Sequence, residues 1–313
     1  MAILKLEPAF KEYIWGGDKL IRDYHKQYDG KTLAESWELS CHMDGSSRIA
    51  GGPFQGKTLR EYIEWEGKRI LGSHCAAFDN FPVLIKFIDA REDLSIQVHP
   101  GDEYALNEEG QYGKTEMWYV VDCAQDAYLY YGFSREISRE EFGQRIQDGT
   151  IPEVLNKVPV QKGDVFFIEA GTIHAIGKGI VIAEIQQNSN VTYRVYDYGR
   201  KGPDGKQRDL HIEKALAVTD RSPKARREDF EPHLGSCKYF TVDKLTLDGR
   251  VLGKMSGEVD GSSFVHILVL DGSGTIRNGE EVSFSKGDSL LITASTGHFE
   301  ISGCCQALLT TIP

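Results

Sequence analysis

Two segments of the chain repeat one pattern 124 residues apart, and this duplication constrains the fold more than any other feature. KGDVFFIEAGTIH (162–174) and KGDSLLITASTGH (286–298) agree at seven of 13 positions. Each copy predicts a tight turn at Gly-Asp, an apolar strand, a turn of small residues and a terminal histidine. A further apolar strand, MWYVV (117–121) or HILVL (266–270), precedes each copy. The chain therefore predicts two β-barrels or sandwiches of related design.

Length and composition agree with two turn-rich β units. The 313 residues correspond to two domains at roughly 150 residues each. Glycine occurs 33 times, about one residue in ten, which favours turns. The polar run SPKARREDFEPH (222–233) lies between the repeats and has no hydrophobic periodicity. We predict a domain boundary near residue 230, with the first domain at residues 1–230 and the second at 231–313.

Helices are predicted at three places. TLREYIEWEGKRIL (58–71) begins with a capping box, and Ser138 with Glu141 opens a helix that runs to about Gln147. LHIEKALAVTD (210–220) has apolar residues at helical spacing. These few helices are expected at the periphery of the strands.

The charge balance excludes general binding to nucleic acid or anionic membranes. The chain has 47 acidic and 36 basic residues, a formal net charge of -11, so a phosphorylated ligand would need a local basic pocket. The start, MAILKLEPAF, lacks the pattern of a secretory signal, and no apolar run approaches about 18 residues. We expect a soluble, cytoplasmic protein whose six cysteines, none in CxxC spacing, are reduced core residues.

Four residues form a candidate metal site. In LSIQVHP (94–100), Gln97 and His99 are two residues apart, so on a strand their side chains share one face. Glu116 begins the next apolar strand, and His174 ends the first repeat. Ends of neighbouring barrel strands can converge on one ion. Two imidazoles, a carboxylate and an amide oxygen suit zinc or another borderline divalent cation.

The second repeat is an internal control for this prediction. His298 matches His174, but the strand before it begins with Val265 and His266 instead of an acid. The strand at 238–247 contains no Gln-x-His. We therefore predict that the second unit has lost its site and that His298 is structural.

Three cations accompany the candidate ligands. Lys86 lies on the strand before Gln97, Lys114 precedes Glu116 by two residues, and Arg194 lies in the alternating strand VTYRVYDYGR. Taken singly, each is typical of a surface ion pair. If they converge beside the metal, they form a pocket for an anion such as a phosphosugar.

These motifs resemble a known family. GDVFFIEAGTIHAIG resembles the second conserved motif of cupins, and IQVHP, GTIHAIGKG and TYRVYDYGR together resemble type I mannose-6-phosphate isomerases over roughly residues 7–200. A simple cupin has histidine where this chain has Gln97, and 16 residues separate His99 from Glu116. Both departures are similar to the isomerases, and the modest insert at 134–157 resembles their short bacterial form.

The resemblance implies a mainly β fold of two cupin-like β-barrel (jelly-roll) units with a few peripheral helices. It implies a zinc-dependent isomerase that interconverts mannose 6-phosphate and fructose 6-phosphate, with one Zn²⁺ per chain. The implied zinc ligands are Gln97, His99, Glu116 and His174. The implied catalytic residues are Arg194, Lys114 and Lys86.

Two other functions stay open on the sequence. A non-catalytic cupin could hold a phosphosugar as a regulatory ligand. An iron-dependent cupin dioxygenase could use two histidines and one carboxylate. The cations favour an isomerase over both, while the proton-transferring base, the phosphate-binding residues and the oligomeric state are not predicted.

Overall fold

Antiparallel strands make up most of the regular structure in the computed structural model, which describes residues 3–202 and 205–313. The strands are β1 (Ile3–Glu7), β2 (Ala9–Lys11), β3 (Glu35–Leu39), β4 (Cys41–His42), β5 (Gly45–Ser46), β6 (Arg48–Ile49), β7 (Val83–Ala90), β8 (Ile96–Val98), β9 (Glu116–Cys123), β10 (Tyr128–Phe133), β11 (Leu155–Pro159), β12 (Val165–Ile168), β13 (His174–Ile176), β14 (Ile180–Gln187), β15 (Tyr193–Tyr196), β16 (Gly235–Cys237), β17 (Phe240–Asp248), β18 (Lys254–Val259), β19 (Val265–Asn278), β20 (Glu280–Ser285), β21 (Ser289–Ile292) and β22 (Gly297–Thr311). The helices are α1 (Lys19–Arg22), α2 (Leu59–Glu66), α3 (Asp102–Glu109), α4 (Arg139–Asp148) and α5 (Ile212–Val218), and short 3₁₀ helices span Gly52–Phe54, Lys68–Leu71, Ser73–Ala77 and Ile151–Val154. The predicted mainly β fold with few helices is confirmed.

The first unit consists of two sheets that share an apolar core. One sheet has the order β12-β9-β14-β7-β3-β2, and the other has the order β11-β10-β13-β8-β15. Residues from both sheets, among them Trp118 and Ile182 from the first and Leu129 and Ile176 from the second, pack in one cluster between them. The resulting barrel places the ends of β8, β9, β13 and β15 around one interior.

The strand β7 is buried on both faces, which explains its uninterrupted apolar sequence. Val83, Ile85 and Phe87 point to the core shared with the second unit, while Ile88 packs in the barrel core. Since side chains alternate along a strand, Lys86 shares the inward face with Ile88. The alternation thus brings a lysine into the interior.

The second unit is a nine-stranded sheet in which β19 and β22 are the longest strands. Its order is β16-β17-β22-β19-β21-β1-β6, with β18 paired to β22 and β20 paired to β19. The N-terminal strand β1 pairs with β21, and β6 extends the same sheet. Two strands that precede the proposed boundary near residue 230, β1 and β6, therefore belong to the sheet of the second unit.

The two repeat copies have the same local structure. Gly163 and Gly287 both adopt a left-handed φ, 96° and 89°. Asp164 accepts a hydrogen bond from the Gln161 N–H at 2.9 Å, and Asp288 accepts the equivalent bond from the Ser285 N–H at 2.7 Å. Glycine is needed at this turn because other residues rarely take this φ. The sequence repeat is therefore matched by the same turn in both copies.

The predicted helices are present. The Thr58 capping box begins α2, and the Ser138 hydroxyl caps α4 by accepting from the Glu141 N–H at 3.1 Å. The helix α5 lies within the predicted range 210–220 and packs with α4 on the first unit. No helix in the described ranges is long and apolar enough to cross a membrane.

The cysteines among these residues are all free thiols. The expectation that all six lie in the core is wrong for Cys304, which is exposed, while its neighbour Cys305 is buried. Adjacent residues on β22 point to opposite faces of the sheet, so only one of the pair can face the core.

Candidate active site and metal centre

Three neighbouring strands bring predicted site residues side by side. His174 at the start of β13 pairs with Gln97 on β8, and Gln97 pairs with Arg194 on β15. Glu116 begins β9 in the facing sheet. The barrel therefore gathers residues that are up to 97 positions apart in the chain.

His99, Glu116 and His174 form a buried cluster whose potential ligand atoms all lie within 4.8 Å of one another. The Nε2 atoms of His174 and His99 lie 3.3 and 3.7 Å from the Glu116 carboxylate oxygens. The Nδ1 atoms donate to the carbonyl oxygens of Thr172 and Val191, both at 2.8 Å. Each ring thus presents an unprotonated Nε2 to the cluster, which is the form that binds a metal.

Two buried atoms in this cluster have no hydrogen-bond partner among the described residues, namely Glu116 Oε1 and His174 Nε2. Burial lowers the pKa of His174 to about 4 and holds that of His99 well below its ordinary value, so both rings are neutral near pH 7. Burial, with the charge of Glu184, raises the pKa of Glu116 to about 7. Convergent lone pairs without a donor are costly when buried, and a divalent cation would satisfy them. The donor set fits zinc.

Lys114 and Lys86 lie beside the cluster. The Lys114 ammonium donates to Glu116 Oε2 and contacts His99 Nε2 at 3.1 Å. Lys86 lies 3.1 Å from Glu184 Oε1 and 3.3 Å from Glu35 Oε2. Burial alone would lower the pKa of Lys86, but attraction to Glu184 and Glu35 raises it above its ordinary value. Lys86 is therefore a permanent cation.

Sequence reasoning missed the carboxylates that hold these lysines. Glu184 on β14 contacts both ammonium groups through Oε1 and accepts from Trp118 Nε1 at 2.7 Å through Oε2. Burial would raise the pKa of Glu184, but Lys114 and Lys86 lower it to about 2. A lone glutamate within the apolar strand IVIAEI was the signal that could have identified it.

The net charge around the cluster is compatible with a bound divalent cation. The charged side chains here are Lys86, Lys114, Glu35, Glu116 and Glu184. When all five are ionised, their net charge is -1. A bound dication would change the net charge from -1 to +1, which suits an anionic ligand.

A polar cavity of about 250 Å³ adjoins the cluster. Gln97, Lys114 and Arg194 line it, and Lys114 also contacts the buried cluster beneath. Gln97 Oε1 accepts from the Ser95 hydroxyl at 3.4 Å, and Arg194 Nε donates to the same hydroxyl at 3.3 Å. All seven predicted site residues therefore lie at the cavity or directly below it.

His298 has a different setting from His174. It lies at the exposed start of β22, and its strand partner is Glu258. Its structural role stays a prediction.

Comparisons with known proteins agree with the fold and show the family of the chain. Residues 3–122 match the model of the phosphomannose isomerase type I catalytic domain, and residues 231–312 match that of the mannose-6-phosphate isomerase cupin domain. The mannose-6-phosphate isomerase ManA of Bacillus subtilis is 39% identical over 98% of both chains. A crystal structure of the mannose 6-phosphate isomerase from Bacillus subtilis has a TM-score of 0.88 at 33% identity, covering 99% of both chains. A mannose 6-phosphate isomerase bound with zinc and yttrium shares the fold, with a TM-score of 0.78 at 19% identity over 99% of both chains.

The fold is that of a cupin protein, with a cavity of paired charges above a His-Glu-His cluster. The chain belongs to the type I phosphomannose isomerase family and is an isomerase.

Proposed function

We propose that the chain interconverts D-mannose 6-phosphate and D-fructose 6-phosphate and that the reaction depends on one zinc ion per chain. The observation that carries the proposal is the convergence of two neutral imidazoles and Glu116, with two unpartnered atoms, directly below a cavity lined by cations. The names of the family's members support the sugar substrate.

The zinc ligands in this proposal are His99, Glu116, His174 and the amide oxygen of Gln97. These are nitrogen and oxygen donors without a thiolate, as in many catalytic zinc sites. A structural neighbour with the same fold is bound with zinc. When bound, the metal would supply Lewis-acid polarisation of a sugar oxygen.

The side chains at the cavity would stabilise charge and orient the sugar. Moving a proton between C2 and C1 passes through an enediol-like species with negative oxygen, so fixed cations lower the barrier. Lys86 and Lys114 lie where those oxygens would approach the cluster. Glu184 holds both ammonium groups, and its pKa of about 2 makes it a positioning anion rather than a base.

Arg194 lines the other side of the cavity, between Ser95 and the carbonyl oxygen of Asp209. There it would bind the phosphate or share in stabilising the oxyanion.

A coupled assay tests the proposal. Fructose 6-phosphate formation from mannose 6-phosphate is measured on the isolated protein, after chelator treatment and after zinc is restored. We expect chelation to abolish turnover and zinc to restore it. Absence of turnover by protein shown to contain zinc would contradict the proposed reaction, and turnover that survives complete metal removal would contradict the zinc dependence.

The iron-dependent dioxygenase is the second enzymatic reading of a two-histidine, one-carboxylate site. It predicts that the protein consumes oxygen after iron is restored, and the same protein preparation can be used to measure this. A phosphosugar-binding protein without catalysis predicts binding without turnover. The cytoplasmic location also belongs to this proposal and is tested by cell fractionation.

A further inference from the structure

Arg208 lies on the active-site cavity, although none of the sequence motifs includes it. It reaches the cavity from the segment that follows β15. A second, outer cavity of about 820 Å³ shares Tyr13, Arg194 and Arg208 with the inner one. Arg208 and Arg194 therefore mark the junction between the metal cluster's cavity and the outside.

Asp197 fixes the Arg208 guanidinium in a bidentate ion pair. Arg208 Nε donates to Asp197 Oδ2 at 2.8 Å, and Nη2 donates to Oδ1 at 2.6 Å. Burial would raise the pKa of Asp197, but hydrogen bonds from Arg208 and Arg200 lower it. The pair leaves Arg208 Nη1 without a hydrogen bond to any residue in 3–202 or 205–313.

The charges at this junction favour an anion. Arg194 is partly buried, and burial together with the charge of Arg208 lowers its pKa. Its Nε and Nη1 donate to Ser95 and to the Asp209 carbonyl, which leaves Nη2 without a hydrogen bond to a described residue. Counted as ionised, the charged side chains that line the two cavities have a net charge of +1, since they comprise five cations, Lys86, Lys114, Arg194, Lys206 and Arg208, and four acids, Glu12, Glu35, Glu184 and Asp209. An oxyanion between Arg194 and Arg208 would use both spare donors and relieve the repulsion between the two cations.

We propose that Arg208, positioned by Asp197, is the residue through which this cavity selects phosphorylated over unphosphorylated aldoses. The phosphoryl group lies between Arg208 and Arg194 at the junction of the two cavities, and the sugar extends from there toward Lys86 and Lys114. This inference rests on the proposed function and assigns its substrate specificity. Asp197, which also pairs with Arg200, acts on the substrate through Arg208 and not by direct contact.

The test compares Arg208→Met with Arg145→Met. Arg145 is a matched control because its side chain is 22% exposed, against 25% for Arg208, and because its Nε likewise donates to a carboxylate, that of Glu141, at 2.8 Å. In Arg208→Met we expect kcat/KM for mannose 6-phosphate to fall on the order of 10- to 100-fold, mainly through KM, because a hydrogen bond to a charged group is lost. The inhibition constant of inorganic phosphate should rise with it, while inhibition by unphosphorylated mannose and all constants of Arg145→Met stay unchanged.

An equal loss of affinity for mannose and for phosphate in Arg208→Met would overturn the proposal, since it would mean that the arginine only supports the cavity wall. Calorimetric titration with mannose 6-phosphate and with mannose gives the same comparison without turnover. If the wild-type chain bound mannose 6-phosphate without converting it, the proposed reaction would be contradicted. The binding comparison between the wild type and Arg208→Met would still test the role of Arg208.

Asp197→Asn tests the positioning role separately. The amide keeps the size of the carboxylate but loses its charge, so Arg208 is held less well. We expect KM for mannose 6-phosphate to rise while kcat changes by less than about twofold. A fall in kcat at unchanged KM would contradict the positioning role of Asp197.

Discussion

His99 and His174 owe their chemistry to backbone carbonyl groups. Because Val191 and Thr172 each accept from an Nδ1 atom, the Nε2 atoms of both rings stay free of a proton and point at Glu116. His298, at the equivalent place in the second repeat, lies exposed opposite Glu258. The same residue type in the same repeat thus has two environments.

This difference predicts two outcomes for one type of substitution. His174→Ala removes a proposed zinc ligand and should reduce bound zinc and turnover to near background, whereas His298→Ala should leave both at the wild-type level. Metal content by atomic absorption and the coupled assay check both variants. Zinc loss in His298→Ala alone would show that the metal lies in the second unit.

His266 predicts a pH dependence of stability. It is fully buried, its Nε2 lies 2.9 Å from the Ser289 hydroxyl, and burial lowers its pKa to about 3. The unfolded chain, with a histidine pKa of about 6.5, takes up a proton below that pH, whereas the folded chain does so only below about 3. The free energy of unfolding therefore falls as the pH falls through this window. His266 accounts for a loss of about 2 kcal/mol between pH 7 and pH 5.

Urea unfolding at pH 7 and pH 5 measures this contribution. His266→Gln has no titrating group at this place, so it should lose about 2 kcal/mol less than the wild type over the same interval. Equal losses in the two proteins would show that His266 does not carry the effect.

The residues of the His-Glu-His cluster could be predicted from sequence because each lies in a short motif at a strand end. Glu184 and Arg208 could not, since their roles arise from contacts across strands and loops: Glu184 with Lys86 and Lys114, Arg208 with Asp197. An isolated charged residue in a sequence does not show which partner it meets.

At the scale of elements, α2 and α4 were predicted from their capping residues and α5 from its apolar spacing, whereas α1 and α3 were not predicted. Thr58 and Ser138 mark α2 and α4, and each hydroxyl accepts from the third residue of its helix. The helix α3 follows Gly101 without a side-chain cap and buries only Ala105, so its sequence lacks an apolar face. It begins with Asp102 and Glu103, whose charges favour a helix N-terminus.

Thr58→Ala should destabilise α2 without affecting the active site. The Thr58 hydroxyl accepts from the Glu61 N–H at 3.2 Å, and the Glu61 carboxylate accepts from the Thr58 N–H at 2.7 Å. Loss of this capping box is expected to cost about 1 kcal/mol in the free energy of unfolding, measured by urea titration, with kcat/KM unchanged. Thr58→Ser, which keeps the hydroxyl, is the control. A large fall in kcat/KM in Thr58→Ala would show that α2 contributes to the site.

At the scale of the whole molecule, the second unit covers a face of the catalytic barrel that would otherwise be exposed. Phe87, Tyr119 and Phe167 of the first unit pack in one core with residues of the second, among them Phe240 and Leu268. The pairing of β1 with β21 adds backbone hydrogen bonds between the two parts of the chain. Since the sheet with Lys86 and Glu184 has its other face in this core, the second unit supports the site from behind.

Leu268→Ala tests this coupling, because Leu268 is 1% exposed in the shared core and lies in the second unit. All four tryptophans, at positions 15, 37, 65 and 118, lie in the first unit, so their fluorescence reports on a part of the chain that the substitution does not touch. We expect one cooperative urea transition that fluorescence and circular dichroism report alike. The free energy of unfolding from both signals should fall by about 2–5 kcal/mol. Leu252→Ala, at a residue that is 51% exposed, should shift neither by more than about 0.5 kcal/mol. If Leu268→Ala lowered the circular dichroism midpoint and left the fluorescence midpoint in place, the two units would fold independently, and the second would not stabilise the catalytic barrel.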